Sequence, residues 1–134
     1  ASARVTLGFG IGSALPLLHT AVGRMLLARS SAEVLDQALA ARSPQPYTEA
    51  TELDAAPLRA AGETAREQGY AFARDEFELG AAGVAVPLGG LGQVPFVLAT
   101  TASVNAFDES GRLERVLDVL RRCALAIGRI GAPR

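Results

Sequence analysis

An apolar turn that runs directly into a helix, residues 15–28, places the strongest limit on how this chain can fold. The run from Leu15 to Leu18 is interrupted by a proline, which makes it too short and too broken for an ordinary strand. His19 and Thr20 follow it, where side chains can accept hydrogen bonds from the free N–H groups that begin a helix. Apolar residues then recur at helical spacing, at Val22, Met25 and Leu26.

Such a corner brings backbone N–H groups and apolar side chains together at the N-terminus of a helix. This combination suits a small anionic ligand, because the helix end attracts negative charge and the apolar walls contact the rest of the molecule. The alternative is a loop–helix corner of the protein core that binds nothing. The segment by itself is compatible with both.

The composition is that of a single domain, residues 1–134, with an aliphatic core. A chain of 134 residues buries roughly two thirds of its unfolded surface. Hydrophobic residues make up 49% of it and aromatic residues only 5%, so mainly Leu, Val and Ala must fill the core. The net charge is −1 and arginines are interspersed with acidic residues, so the chain lacks the basic stripe typical of proteins that bind DNA or RNA directly.

The sequence predicts a cytoplasmic protein without a membrane segment. Cys123 is the single cysteine, so no internal disulfide can form and a reducing compartment is expected. Because Cys123 lies beside Leu120 and Ala124 in a helical stretch, we expect a buried structural thiol. The chain has no apolar run of about 18 residues, and residues 1–4 lack the apolar stretch of a signal peptide.

The order of the predicted elements indicates an α+β domain, with helices packed on a largely antiparallel sheet. Ser30 and Glu33 have the spacing of a capping box, and Gly69 is suited to end a helix. In chain order the pattern predicts a strand at 4–9, a helix at 20–29, a second helix after Ser30, a third from Asp54 to Gly69, a strand at 70–72, a charged turn at 74–78, strands at 83–88 and 94–102 joined by a hairpin turn at 89–92, and a helix at 110–130.

Residues with reactive side chains are few and scattered. His19 is the only histidine, and its position favours a cap or a packed side chain over a Ser-His-Asp triad, for which no Gly-x-Ser-x-Gly segment exists. One histidine and one cysteine cannot form a typical zinc site, so we predict no metal, no cofactor and no catalytic residue. Asp75, Glu76 and Glu78 could act as general acids or bases, but a charged turn of this kind is more typical of a solvated surface.

Two polar or flexible segments could contact a ligand. The glycines at 89–92 lie between strands and lack the Gly-Lys-Ser/Thr ending of a phosphate loop, so a hairpin turn is the better interpretation. Thr100 and Thr101 are neighbours on a predicted strand, so their side chains face opposite sides and only one can point into a pocket. That hydroxyl would bind either a ligand or a backbone carbonyl.

Three ordered segments resemble the effector-binding domain of the IclR family of bacterial transcription regulators. Residues 12–28, from Gly12 to Ala28, resemble the family's Leu-Pro-Leu-His-x-x-x-x-Gly-Lys/Arg-x-Leu-Leu-Ala motif. The resemblance continues at residues 69–76, at Gly80 and at residues 84–88, and ends at Ile127 and Gly128. It therefore covers nearly the whole chain.

The resemblance implies a GAF-like fold, an antiparallel sheet flanked by helices, here truncated at the N-terminus. It also implies a domain that binds a small-molecule effector, usually a carboxylate or an aromatic acid. DNA would be bound only by a winged helix-turn-helix domain that precedes this one in the family. Family members usually form homodimers or homotetramers, and we expect the same here.

The resemblance also implies which residues surround the effector. Ala73 stands where glyoxylate-type sensors have an acidic residue, Gly83 where many members have cysteine, and the family's histidine would fall at Leu18, one place before His19. Thr100 and Ala102 stand where hydroxyl side chains often contact the ligand. The predicted effector-binding residues are Leu15, His19, Ala21, Val22, Ala73, Ala81, Gly83, Thr100 and Ala102. Their small, apolar side chains favour a larger and more hydrophobic ligand than a small keto acid.

We therefore interpret the chain as a sensor domain rather than an enzyme. One alternative is an oligomerisation module whose core is filled and binds no ligand; the absence of a cavity between the Leu-Pro segment and the hairpin would favour it. A second alternative is a small metabolic enzyme that uses Asp75 or Glu76 as a base, although no convergent cluster of polar residues is apparent in the sequence.

Overall fold

The fold is α+β, as the sequence predicts. The computed structural model describes residues 11–41, 45–89 and 95–131; the predicted strand at 4–9 and most of the predicted hairpin turn lie outside these residues. The elements are α1 (Ala21–Ala28), α2 (Ala32–Ala41), α3 (Ala55–Gln68), β1 (Ala71–Arg74), β2 (Ala81–Leu88), β3 (Phe96–Ser103), a 3-10 helix (Val104–Phe107) and α4 (Arg112–Gly131). Among the described residues, no helix is long and apolar enough to span a membrane.

The three strands form one antiparallel sheet in the order β1-β2-β3. Gly83 of β2 pairs with Ala73 of β1 and with Thr101 of β3, and this register fixes which side chains share a face. Residues directly opposite each other in an antiparallel pair project to the same side, and successive residues alternate. β2 is the central strand, and Val84 and Ala85 at its middle are fully buried on opposite faces.

Small side chains let helix α1 lie close to one face of the sheet. The cluster on this face is mostly alanine and consists of Ala21, Met25, Ala28, Ala65, Ala71, Ala73 and Ala85. It includes one residue of α3, which packs beside α1. Gly69 ends α3 in the left-handed conformation with φ 79°, which confirms the predicted C-terminal cap.

Helix α4 covers the opposite face through a larger, aliphatic cluster. Its core members are Val84, Val86, Leu88, Leu117, Leu120 and Ala124. At the start of α4, the hydrogen bond and charge of Arg112 hold the pKa of the exposed Glu109 carboxyl below its ordinary value, and Arg115 adds to this effect. The sheet is thus enclosed by two chemically different layers, one of alanines and one of branched side chains.

Three details of the helices differ from the prediction. Cys123 is exposed, because it lies about 90° around α4 from the buried residues Leu117, Leu120 and Ala124. The predicted apolar stripe also ends early, since Ile130 is 86% exposed. At the start of α2, the hydroxyl that accepts from the Val34 amide belongs to Ser31, whereas the Ser30 hydroxyl donates to the carbonyl of Leu26.

Candidate functional site

The Leu-Pro segment is fastened to α1 by Thr20, which caps the helix as predicted. Its hydroxyl accepts a hydrogen bond from the Gly23 amide at 3.0 Å and donates one to the Pro16 carbonyl at 2.7 Å. Gly23 lies directly against the backbone of Leu17, so there is no space at this position for a side chain. The turn and the helix therefore pack as one unit.

A buried ion pair joins α1 to the charged turn after β1. The guanidinium of Arg24 contacts both carboxylate oxygens of Glu76, at 2.6 Å and 2.7 Å, and both side chains are largely buried. Arg24 also donates from Nε to the Leu18 carbonyl at 3.0 Å. The expectation of a solvated charged turn is therefore wrong for Glu76, because a partner 52 residues away in the chain takes the place of water.

Two threonine hydroxyls hydrogen-bond to the backbone of the turn that contains Glu76. The Thr48 hydroxyl donates to the Asp75 carbonyl and the Thr51 hydroxyl to the Glu76 carbonyl, each at 2.5 Å. Asp75 adopts a positive φ of 62°, and its carboxylate accepts a hydrogen bond from the Gly80 amide at 2.7 Å. These bonds fix the turn as a rigid wall beside α1.

A cavity of about 150 Å³ lies between the N-terminus of α1, this turn and the sheet. Its lining residues are Leu15, His19, Thr20, Ala21, Val22, Ala73, Asp75, Glu76, Phe77, Glu78, Ala81, Ala82, Gly83, Ala99, Thr100 and Thr101. A glycine and several alanines form the floor, and any larger side chain there would fill the space. The absence of a cavity here would have favoured the alternative of a filled oligomerisation module. Because a cavity is present, that alternative loses this support.

The strand register corrects the assignment of the two threonines. Thr101 pairs with Gly83, and its Oγ1 lies 3.8 Å from the position of a Cβ built on that glycine, so its side chain shares the cavity face. Thr100 pairs with Val84, whose side chain packs under α4. The side chain of Thr100 therefore faces α4, and this residue borders the cavity through its backbone.

Eight of the nine residues predicted around the effector line the cavity, and Ala102 does not. Ala102 pairs with Ala82 and projects to the α4 side, for the same reason as Thr100. Sequence reasoning missed Thr101 as well as Phe77 and the acidic side chains of the turn. The alternation of the strand identifies two possible threonines, but only the pairing with Gly83 shows which one faces the cavity.

His19 is buried, with 3% of its surface exposed, although it lines the cavity. Its Nε2 bonds to the carbonyl of Glu52 at 2.8 Å. The ring meets Tyr47 edge-on, with centroids 5.7 Å apart, and Tyr47 in turn meets Phe77 at 5.1 Å. Contacts with residues far along the chain thus hold the imidazole in one orientation.

The cavity is apolar on its sheet side and acidic at the turn. Asp75, Glu76 and Glu78 line it, and the charge of Glu76 is matched by Arg24. At the other end, Ala21 and Val22 form the first turn of α1, where backbone N–H groups point out of the helix. Among the described residues, no group of three or more His, Cys, Asp or Glu side chains is arranged to hold a metal ion.

Comparison with known proteins assigns the family. Residues 1–129 match the sequence profile of the bacterial transcriptional regulator IclR C-terminal domain. The chain belongs to the IclR family. No curated protein sequence is similar enough to extend this comparison.

Solved structures of IclR regulators have the same fold. A putative IclR regulator from a Silicibacter species is 26% identical, with a TM-score of 0.84 over 98% of this chain and 52% of its own. An IclR homologue from Microbacterium hydrocarbonoxydans, complexed with 4-hydroxybenzoate, is 27% identical, with a TM-score of 0.81 over 95% of this chain and 50% of its own. The inducer-binding domain of PobR from Acinetobacter, a double mutant complexed with 3-hydroxybenzoic acid, is 26% identical, with a TM-score of 0.81 over 95% and 74%.

The present chain spans about half the length of the full regulators that it matches. It corresponds to the effector-binding part of an IclR regulator, and the similar structures belong to transcriptional regulators.

Proposed function

We propose that this IclR domain binds one small aromatic or apolar carboxylate in the cavity beside α1. The observation that carries the proposal is the cavity itself, whose floor is made of the small residues Ala73, Ala81 and Gly83. Two similar regulator structures hold hydroxybenzoates, which supports the same ligand class. The ligand would control DNA binding by a winged helix-turn-helix domain of the complete protein, acting in the cytoplasm.

Size and chemistry both support a ligand with a single ring. An apolar cavity of roughly 150 Å³ accepts benzene, and the cavity here has that volume. The ring would lie on the alanine floor, and the carboxylate would approach the first turn of α1, where the helix dipole and the amides of Ala21 and Val22 favour an anion. The charge of the nearby Glu76 carboxylate is matched by Arg24.

Binding would change gene regulation only if the ligand binds two arrangements of the complete protein with different affinity. We propose that these arrangements differ in how the protomers of a homodimer or homotetramer are placed. Residues 1–134 would serve as the single effector-binding domain of each protomer.

Thermal unfolding with a panel of aliphatic and aromatic carboxylates tests the proposal. A ligand at about 100 times its dissociation constant adds roughly 2.7 kcal/mol to the stability of the folded state. With an unfolding entropy of about 2.1 cal/mol/K per residue, the midpoint should rise by about 10 °C. Glyoxylate or pyruvate as the best ligand would contradict the aromatic assignment, and a flat panel from a cooperatively folded chain would overturn the proposal.

Substitutions at Gly83 should raise stability and weaken binding at the same time. A Cβ at this position would lie 3.4 Å from the Cβ of Ala21, an ordinary contact, and alanine is favoured over glycine inside a strand by roughly 0.5–1 kcal/mol. We therefore expect Gly83→Ala to unfold at the same or a higher temperature without ligand. Calorimetric titration should show weaker binding for Gly83→Ala and loss of binding for Gly83→Val. Unchanged affinity in both variants would place the ligand elsewhere.

The two neighbouring threonines provide a matched pair of variants. Thr101→Val removes a hydroxyl from the cavity face, whereas Thr100→Val makes the same change on the α4 face. A neutral hydrogen bond contributes about 0.5–1.5 kcal/mol, so Thr101→Val should weaken binding roughly 2- to 12-fold. Thr100→Val should leave the dissociation constant unchanged within about twofold. The reverse order of effects would show that the ligand does not meet this face of the sheet.

A further inference from the structure

Arg121 and Arg129 of α4 are arginines without an acidic partner. No Asp or Glu side chain of the described residues lies within ion-pair distance of either one, and the rest of the chain contains no Asp or Glu. The other arginines of α4 pair with Glu109 or Asp118. Outside α4, every arginine that the structure describes contacts a carboxylate or a backbone carbonyl. No carboxylate of the described residues therefore balances the charges of Arg121 and Arg129.

Both arginines border an open groove of about 530 Å³ on the α4 side of the sheet. Val86 of β2 and Ala124 and Leu125 of α4 form its apolar walls. Apart from the two arginines, every residue that lines the groove is apolar or a glycine. The groove shares no lining residue with the cavity beside α1, so the two are separate sites.

The two charges stand apart along α4, with an exposed apolar surface between them. Arg121 and Arg129 are separated by two turns of helix, which places their Cα atoms about 12 Å apart along its axis. Leu125 lies midway between them, and 63% of its surface is exposed. The guanidinium of Arg121 lies 5.8 Å from the centre of the Tyr70 ring, and this cation–π contact restrains its position. A molecule in the groove therefore meets positive charge and apolar surface together.

This combination fits an anion with an extended aliphatic body. The unmatched arginines favour a carboxylate, since charge-assisted hydrogen bonds to a guanidinium are among the strongest in proteins. The apolar walls favour a chain that removes them from water. A peptide in the same place would bring N–H and C=O groups along its whole length, and apart from the arginines no lining side chain could bond to them. An alkyl chain has no such groups to satisfy.

We propose that the groove binds a linear aliphatic carboxylate, with its chain along Leu125 and its carboxylate on the unmatched arginines. This would be a second ligand site of the domain. It does not depend on the aromatic carboxylate proposed for the cavity beside α1, because the two sites are formed by different residues.

A methyl NMR titration of the 134-residue chain tests the proposal, because it reports both sites separately. The probes are hexanoate, octanoate and decanoate, each kept below the concentration at which it forms micelles. The methyl signals of Val86 and Leu125 report the groove, and those of Ala73 and Ala81 report the cavity. Affinity at the groove signals should increase about twofold to fourfold with each added CH₂ group.

Two double variants test the role of the unmatched charges. Arg121→Gln/Arg129→Gln keeps long polar side chains but removes both charges, so decanoate should bind at the groove about tenfold or more weakly. Arg115→Gln/Arg122→Gln is the matched control. It removes two charges from the same helix, but neither residue borders the groove. Its affinity for decanoate should stay within about twofold of the wild type.

Each contrary result has a definite meaning. If decanoate leaves the Val86 and Leu125 signals of the folded chain unchanged, the groove is not a ligand site. An equal loss of affinity in both double variants would show attraction by overall charge alone, and equal affinity for hexanoate and decanoate would show that the chain does not lie in the groove. Either result overturns the proposal. Shifts confined to Ala73 and Ala81 would also overturn it, while supporting carboxylate binding in the cavity.

Discussion

Gly23→Ala should lower the free energy of unfolding by at least about 3 kcal/mol. A Cβ on residue 23 would lie 2.3 Å from the carbonyl oxygen of Leu17 and 2.4 Å from its Cα. Both are backbone atoms, so no change of side-chain rotamer relieves the overlap. The Leu-Pro segment must then separate from α1, which also removes one wall of the cavity.

Gly62→Ala is the matched control, because it makes the same substitution inside another helix. A Cβ on Gly62 would meet a methyl group of Leu35 at 3.2 Å, and a flexible side chain can move by the few tenths of an ångström required. Alanine gains about 1 kcal/mol over glycine in a helix interior, so stability should stay equal or rise. Urea denaturation of both variants measures the difference. If the two variants lose stability equally, the close contact between Gly23 and Leu17 is not present in solution.

Arg24→Met should cost about 3–5 kcal/mol of stability, the second large effect that we expect. The substitution leaves the largely buried carboxylate of Glu76 without its partner and the Leu18 carbonyl without its donor. Arg24→Met/Glu76→Met, which removes both charges, should lose less than Arg24→Met alone. Denaturant unfolding of the two single variants and the double variant completes the cycle.

The exposed pair of Arg59 and Asp36 provides the control for this experiment. Both of its side chains are about half exposed, so Arg59→Met should change stability by no more than about 1 kcal/mol. A similar loss from Arg24→Met and Arg59→Met would mean that the Arg24–Glu76 pair is solvated. In that case the turn beside α1 would not be the rigid wall described above.

The larger elements of the fold are predictable because their signals are local. The periodicity of residues 113–124 predicts α4, and the alternation and apolar composition around residues 83–88 predict β2. Thr20 and Gly69 predict helix ends because a cap depends on a few neighbouring residues. Cys123 shows where local reasoning stops, since a position at the margin of a helix stripe is buried only if a second element covers it.

The candidate site is only partly predictable from the sequence for the same reason. The Leu-Pro motif locates one wall of the cavity. The small residues Ala73 and Gly83 indicate an open space on the sheet, because their own side chains are too small to fill it. Whether Thr100 or Thr101 faces that space depends on the register with β2. A shift of one residue exchanges the two faces, and the sequence of β3 alone does not contain the register.

The sequence by itself determined the family, the α+β class and the position of the loop–helix corner, because motifs, periodicity and capping residues act over a few neighbours. Only the tertiary structure decided that Glu76 is buried against Arg24, that Thr101 faces the cavity and that His19 is buried with its Nε2 bonded to the Glu52 carbonyl. Each of these depends on a partner far along the chain, such as the Glu52 carbonyl that fixes the imidazole. Burial, hydrogen bonding and charge at a site are properties of such pairs, so they become defined only when the chain has folded.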